Sequence, residues 1–328
     1  MSPSLHREDL SFSTSWSAIG RLLIHTVAFF IGFTVLTFYI TRSFPAVGSK
    51  DSVGFKWQLL QESPEPIQTL LFGDSTAHYG LDPDIFENRL GGPALNLATF
   101  EGVTPTMDAG WLRDAGRRWG PPKRIFIVRT ITGWTEPEDP ERLSVALASV
   151  PTSLRQASSL SLCFAHFFKP YATLGDYLRA VSFKEKDRDV TLKKGWVAVH
   201  LKDTAKSFDG NVIRHMDPDQ AARLTLSDPS RQSMDFLTAW AQRYAIDVII
   251  APPPWHDALR DTIDFRRYAA LYQRLFEPYA VRSQHVFILP PSTFPNESFI
   301  DGRHLNEDGA RRFSSRLVDQ YNSKRASH

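Results

Sequence analysis

The stretch LLFGDSTAHYG, Leu70 to Gly80, sets an apolar run against a glycine, an acid and a hydroxyl. A short apolar run bounded by turn residues reads as a buried strand. Gly73, Asp74 and Ser75 then mark the point where that strand gives way to a helix. Asp and Ser cap helices widely, so the triplet has a purely structural reading. It also has a chemical one. A serine at the carboxyl end of a sheet strand stands where open α/β sheets build their sites.

Outward from this point the chain alternates between strand-like and helix-like segments. IQTLLFG, PALNLAT, KRIFIVR, AIDVIIAPPP and HVFILP read as strands. LDPDIFENRL, entered through Asp82 and Pro83, reads as a short helix. TPTMDAGWLRDAGRRW and DFRRYAALYQRLFEPYA have helical spacing, and a last helix spans Asn306 to Tyr321. Apolar strands separated by helices predict an α/β fold with a parallel sheet covered on both faces.

The alternation breaks between about 136 and 229. There LSLCFAHFFKPYATLGDYLRAV reads as helical, FKEKDRD is a charged run, and KKGWVAVHLKDTAKSFDG is loop-like. A largely helical insertion of this length exceeds a simple connection. It serves as added scaffold, or as a lid, groove or docking surface.

Before the alternation stands LLIHTVAFFIGFTVLTFYI, Leu22 to Ile40, without Asp, Glu, Lys or Arg. It is long enough to cross a hydrocarbon core of about 30 Å. A core helix and a cleaved signal peptide are the alternatives, but the apolar region outruns the usual 7 to 15 or so residues of a signal peptide. The expected organisation is a tail over 1–21, a transmembrane anchor over 22–41, a linker or helical neck over 42–66 and a catalytic domain over 67–328. Arg7 and Arg21 before the span balance Arg42 and Lys50 after it, so charge does not orient it.

The 328 residues hold 38 Lys and Arg against 36 Asp and Glu, a formal net charge of +2 that offers no attraction for nucleic acid. Cys163 is the single cysteine, which excludes an internal disulfide. His and Asp show no zinc spacing, and neither metal nor cofactor is expected.

Three loops carry chemistry. The first strand ends at Gly73-Asp74-Ser75. The second leads through Asn96 to FEGVTP, with Gly102 before a helix. The segment DGRHLNEDGARRF places Asp301 and His304 before the last helix. A serine hydroxyl becomes a nucleophile when an imidazole takes its proton, and the imidazole needs an acid to fix its tautomer. Ser75, His304 and Asp301 can fill those roles. His78, three positions after Ser75 on one side of the helix, reads as pocket lining or surface rather than a competing base. His256, after three prolines, either edges the site or, in preference, is a solvated loop histidine. Trp134 is either a sugar platform or, in preference, a core residue.

GDS at Gly73 to Ser75, NLATFEG at Asn96 to Gly102 and DGRH at Asp301 to His304 together resemble the blocks of the SGNH, or GDSL-type, hydrolases. VIIAPPP resembles the strand that runs into prolines before their last block. The resemblance spans about 67–321, interrupted by the insertion. It implies a flavodoxin-like three-layer α/β/α sandwich, a Ser75–His304–Asp301 triad, and an oxyanion hole from the backbone amides of Ser75 and Gly102. The Gly-x-Asn-Asp block that the family often carries is missing: the third strand runs into VRTITGWTEP, where Thr130, Thr132, a backbone group or a partner can stand in for the Asn.

That departure and the anchor resemble a membrane-bound branch acting in O-acylation of exported polysaccharides, similar to alginate acetylation and teichoic-acid D-alanine transfer proteins. This implies an acyl donor, a polysaccharide acceptor, a membrane-bound O-acyltransferase as partner, and a single pass of the cytoplasmic membrane with the catalytic domain outside. Asp74, His78, Asn96, Trp134 and His256 are the candidate pocket residues. Whether the acyl acceptor is water or a sugar hydroxyl stays open, as do a lipase-type esterase of small esters and a catalytically idle glycan-binding scaffold for the membrane-bound O-acyltransferase.

Overall fold

The five runs read as strands pair into one sheet in the computed structural model, which describes residues 16–43, 53–99, 105–137, 190–194, 196–199 and 218–327. They are β1 (Thr69–Gly73), β2 (Ala94–Asn96), β3 (Arg124–Val128), β4 (Asp247–Ala251) and β5 (Val286–Ile288), all parallel, in the spatial order β2-β1-β3-β4-β5. The register aligns Gly73 with Val128, and Val128 with Ala251, so three strands end level with one another. The chain moves from β1 outward to β2 and returns past β1 to β3. The crevice at such a reversal lies between the carboxyl ends of β1 and β3.

Because side chains alternate across a strand, each strand feeds two cores. Leu70, Phe72, Ile125, Ile127, Val248 and Ile250 pack with residues of α5 (Pro105–Trp119), α6 (Asp228–Tyr244) and α7 (Ile263–Arg282). Leu71, Phe126, Val128, Ile249 and Phe287 pack instead with residues of α3 (Ser75–Gly80), α4 (Pro83–Leu90) and α8 (Glu307–Ala326). Strands buried on both faces need continuous apolar runs, which is why IFIV and DVIIA were legible.

The N-terminal helix α1 (Trp16–Ser43) contains an 18-residue window, Ile19–Leu36, of mean hydropathy 1.9 with none of it buried. By length and composition it can cross a membrane, and its exposure removes the core-helix alternative. The expected neck contains α2 (Val53–Glu62), which is docked rather than a free linker: Leu60 is buried in the core with Trp111, and the buried Lys56 donates to the Asn96 carbonyl at 2.9 Å.

Most of the expected insertion lies outside the described residues. One part of it differs from expectation. The loop-like KKGWVAV region belongs to an antiparallel hairpin, Val190–Lys193 with Trp196–Val199, and a short helix follows at Pro218–Arg223. The strands are four residues each and charged at the turn, too short for a clear alternation. Trp196 packs against α3 and donates through Nε1 to the Tyr79 carbonyl at 2.9 Å, while Lys194 pairs with Asp84 and Glu87 on α4. Helix α6 likewise begins inside the expected insertion, at Asp228, capped by Ser227.

Candidate active site

The turn after β1 exists because residue 73 has no side chain. Gly73 has φ +145°, and a Cβ there would lie 1.8 Å from the Val128 carbonyl oxygen. This is the close approach that brings the ends of β1 and β3 together. Gly73→Ala is expected to lower stability by at least about 1–3 kcal/mol through backbone strain alone. It should also lower turnover by shifting Ser75. Thermal unfolding and ester kinetics on one preparation test both effects, and a variant indistinguishable from the parent would refute the packing argument.

Asp74 is the N-cap of α3. Its Oδ1 accepts from the Thr76 N–H at 3.0 Å and the Thr76 hydroxyl at 2.6 Å. Its Oδ2 accepts from the Thr130 N–H and the Thr130 hydroxyl, both at 2.8 Å. Four donors therefore compensate a buried carboxylate. The expected pocket acid is a tie between β1 and β3, not a group facing solvent.

Ser75 opens α3, where backbone N–H groups have no partner within the helix. Its hydroxyl lies 2.9 Å from His304 Nε2, across 229 residues of sequence. His304 Nδ1 lies 2.8 Å from Asp301 Oδ2. Asp301 Oδ1 accepts from the backbone N–H groups of Arg303 and His304 at 2.7 and 2.8 Å. Burial pushes the Asp301 carboxyl up, but these hydrogen bonds and the imidazole outweigh it and hold the acid well below the usual carboxylate range. Asp301 is thus an anion at any ordinary pH.

The loop that brings Asp301 and His304 to Ser75 is fastened on both sides. Ile300 N–H donates to the His304 carbonyl at 2.9 Å, and Phe299 bridges to Leu305. Asn306 caps α8 through the Gly309 N–H at 2.9 Å and donates to the Glu297 carbonyl at 2.6 Å. Ser314 of α8 bonds Asp82 N–H and the Gly80 carbonyl, docking α8 on the end of α3. The Tyr79 ring stands edge-on to His304 with centroids 5.1 Å apart.

The other expected pocket residues are placed elsewhere. Asn96 is buried and spent on structure: its amide donates to the Ala77 and Leu81 carbonyls at 3.0 and 2.9 Å and accepts from Ala98 N–H at 2.9 Å. It fastens α3 to the end of β2. His78 is fully buried and packs edge-on to Tyr79, so it is neither surface nor an exposed base. Trp134 is fully buried against Phe276 and the Arg129 guanidinium and cannot be a sugar platform. His256 is buried too, stacked on Phe299 and bonded to Asn296 at 2.7 Å; it braces the Asp301 loop from behind instead of lying in solvent. Gly102 lies outside the described residues.

Thr130 occupies the place where the Asn was looked for, but its hydroxyl proton goes to Asp74. Thr132, exposed and 3.0 Å from the Thr130 hydroxyl, is the one whose hydroxyl can turn toward a ligand. Among the described residues no group of three His, Cys, Asp or Glu could hold a metal ion.

Sequence reasoning missed Tyr79 and the hairpin residue Trp196, because their roles arise only when distant segments meet. Comparisons of the chain with protein-family models, with curated proteins and with solved structures find no match.

Proposed function

We propose that this chain is a membrane-anchored serine acyl-transfer enzyme of SGNH type, built on a flavodoxin-like three-layer sandwich. The observation that carries this is the Ser75–His304–Asp301 relay, with both links under 3 Å. It joins three residues whose types and order the chemistry requires.

In the first half-reaction Ser75 Oγ bonds to the carbonyl carbon of an acyl ester, and its proton moves to His304 Nε2. The carbonyl oxygen becomes an oxyanion facing the Ser75 N–H, with the Gly102 N–H and the Thr132 hydroxyl as further donors. As the carbon–oxygen bond to the leaving alcohol breaks, His304 returns the proton to that oxygen. The acyl group now rests on Ser75. In the second half-reaction His304 takes the proton of an incoming hydroxyl, whose oxygen attacks the acyl carbon; as the bond from that carbon to Ser75 Oγ breaks, His304 returns the proton to Oγ and Ser75 is free. Asp301 stabilises the imidazolium in both halves.

The second substrate of this reading is a sugar hydroxyl of a surface or exported polysaccharide, with water giving the competing hydrolysis. Two features support transfer: the exposed apolar helix α1, and the replacement of an amide donor by a hydroxyl after β3. That replacement fits the membrane-bound O-acylating branch the chain resembles; the oxyanion hole itself serves hydrolysis and transfer alike, the loss of one donor costing either on the order of 100-fold or more. The acyl donor then comes from a membrane-bound O-acyltransferase, and the catalytic domain faces away from the cytoplasm.

The test uses the full chain in detergent. A fluorophosphonate should label one serine, found by peptide mass at Ser75, and an activated acetyl ester should acetylate a sugar oligomer. C-terminal phosphatase and fluorescent-protein fusions should report an extracytoplasmic end. Absence of labelling at Ser75 would overturn the enzyme reading; a cytoplasmic C-terminus would overturn the polysaccharide reading and leave the relay standing.

A further inference from the structure

The outer face of α8 carries an open pocket of about 570 Å3 walled by Arg260, Arg311, Arg312 and Arg316, with Thr293 and Ser315 between them. That volume is in the range of small-ligand sites. Two acids also line it, and both are engaged. Asp257 pairs with Arg260, and Asp319 pairs at 2.6 Å with Arg89. Arg311 is held by Glu307 at 2.5 Å. Arg312 and Arg316 are exposed and form no direct ion pair among the described residues, although Arg316 lies near enough to Asp319 to help Arg89 hold that carboxyl below its ordinary value. They stand one helical turn apart, about 6 Å along the axis. Like charges at this spacing oppose each other.

We infer that this pocket is an anion-binding site for the carboxylate or phosphate groups of a chain-like molecule. Guanidinium presents a planar fork that matches either anion with two hydrogen bonds. Two exposed forks in line along α8, neither in a direct ion pair, with Arg260 on the facing wall, suit successive anionic groups better than one. The site is a shallow, open depression that includes Phe294 and Pro295, and the vesicle arm of the experiment tells a lipid headgroup from a free chain. The lining belongs to elements that flank the relay loop. Arg311 is one turn into α8, whose cap follows His304 within the same loop, and Thr293–Phe294 pairs with Trp255–His256 behind that loop. An acidic chain held here runs past the loop that carries Asp301 and His304. Binding itself does not depend on the Ser75 chemistry.

The experiment titrates the full chain, in an uncharged detergent, with a galacturonate oligomer, with inorganic polyphosphate and with a neutral dextran oligomer. Wild type and Ser75→Ala should bind at least one anionic chain alike, weakening with salt, and should not bind dextran. The galacturonate and polyphosphate arms tell carboxylate from phosphate. Arg312→Gln with Arg316→Gln should weaken binding about tenfold or more. Arg113→Gln with Arg243→Gln, exposed on α5 and α6, should leave it unchanged. Equal loss in both double variants would mean diffuse charge attraction and would overturn the site. So would no binding by wild type, or binding only to vesicles containing anionic phospholipid. Loss of Ser75 labelling with binding intact would sink the acyl-transfer reading and leave this one.

Discussion

Ser75→Ala and His304→Ala should each lower turnover of a small acetyl ester by at least about 10,000-fold, because the relay acts as a unit and neither half works alone. The alanine at 75 removes the atom that bonds to the acyl carbon. The alanine at 304 leaves that atom with no acceptor for its proton at 2.9 Å. Combining the two should add little. Asp301→Asn should do less damage than either, since it disturbs the tautomer and the charge opposite Nδ1 but breaks no reacting bond. His78→Ala should act through stability, as a cavity in the α3 core, and leave the catalytic constant of the folded fraction largely intact. Steady-state kinetics beside thermal unfolding separate these outcomes. Full activity in Ser75→Ala would remove the nucleophile assignment outright. If that variant still supports glycan acylation in cells, the chain is a scaffold.

What could be read in the sequence and what could not divide along a physical line. The sheet was legible because strands buried on both faces must be nearly uninterrupted apolar runs, and FIV in β3 or VIIA in β4 cannot easily be anything else. The Ser75–His304–Asp301 contact was legible because a hydroxyl, an imidazole and a carboxylate form a recognisable set, and because strand ends and the loop before the last helix are the places that can hold them. Asn96 misled, since an amide beside a strand end looks the same whether it faces a ligand or ties Ala77 to Leu81. His78 misled for a related reason: a six-residue helix has too few turns to show which face is buried. The hairpin hid because VTLK and WVAV depend on partners across the turn and on α3 for burial, and no local pattern records that. Thr130 was found as a hydroxyl in the right place. Its engagement with Asp74 is a contact across 56 residues that no spacing announces.

Arg129→Met should cost about 3–5 kcal/mol of folding stability at pH 8, the second large effect expected of this chain. Arg129 follows β3, is almost fully buried, and pairs at 2.6 Å with the equally buried Asp108 of α5. Removing one member of such a pair strands the other charge in the core. The direction with pH follows from Asp108. Burial pushes its carboxyl up, against the opposing pull of Arg129, and the nearby Asp74 adds to the rise, so that it titrates at about 6 against an ordinary 3.8. An acid whose folded value is raised binds its proton more tightly in the native state. Its contribution is fully present below about pH 4 and is lost as pH rises through 6. Without the guanidinium the carboxyl is still harder to ionise. The penalty of Arg129→Met should therefore be largest above pH 6 and shrink toward pH 4, where Asp108 is neutral in both proteins. Urea unfolding of the parent and the variant across this range measures it. A penalty that grows on acidification would mean that Asp108 is not the group left exposed to the low dielectric. The site should register the same change. Thr130 is the next residue, and both of its donors hold Asp74, so loosening the end of β3 loosens the turn that aims Ser75 at His304. At pH 8 the folded variant should lose turnover as well as stability, and it should recover part of both as Asp108 takes up its proton.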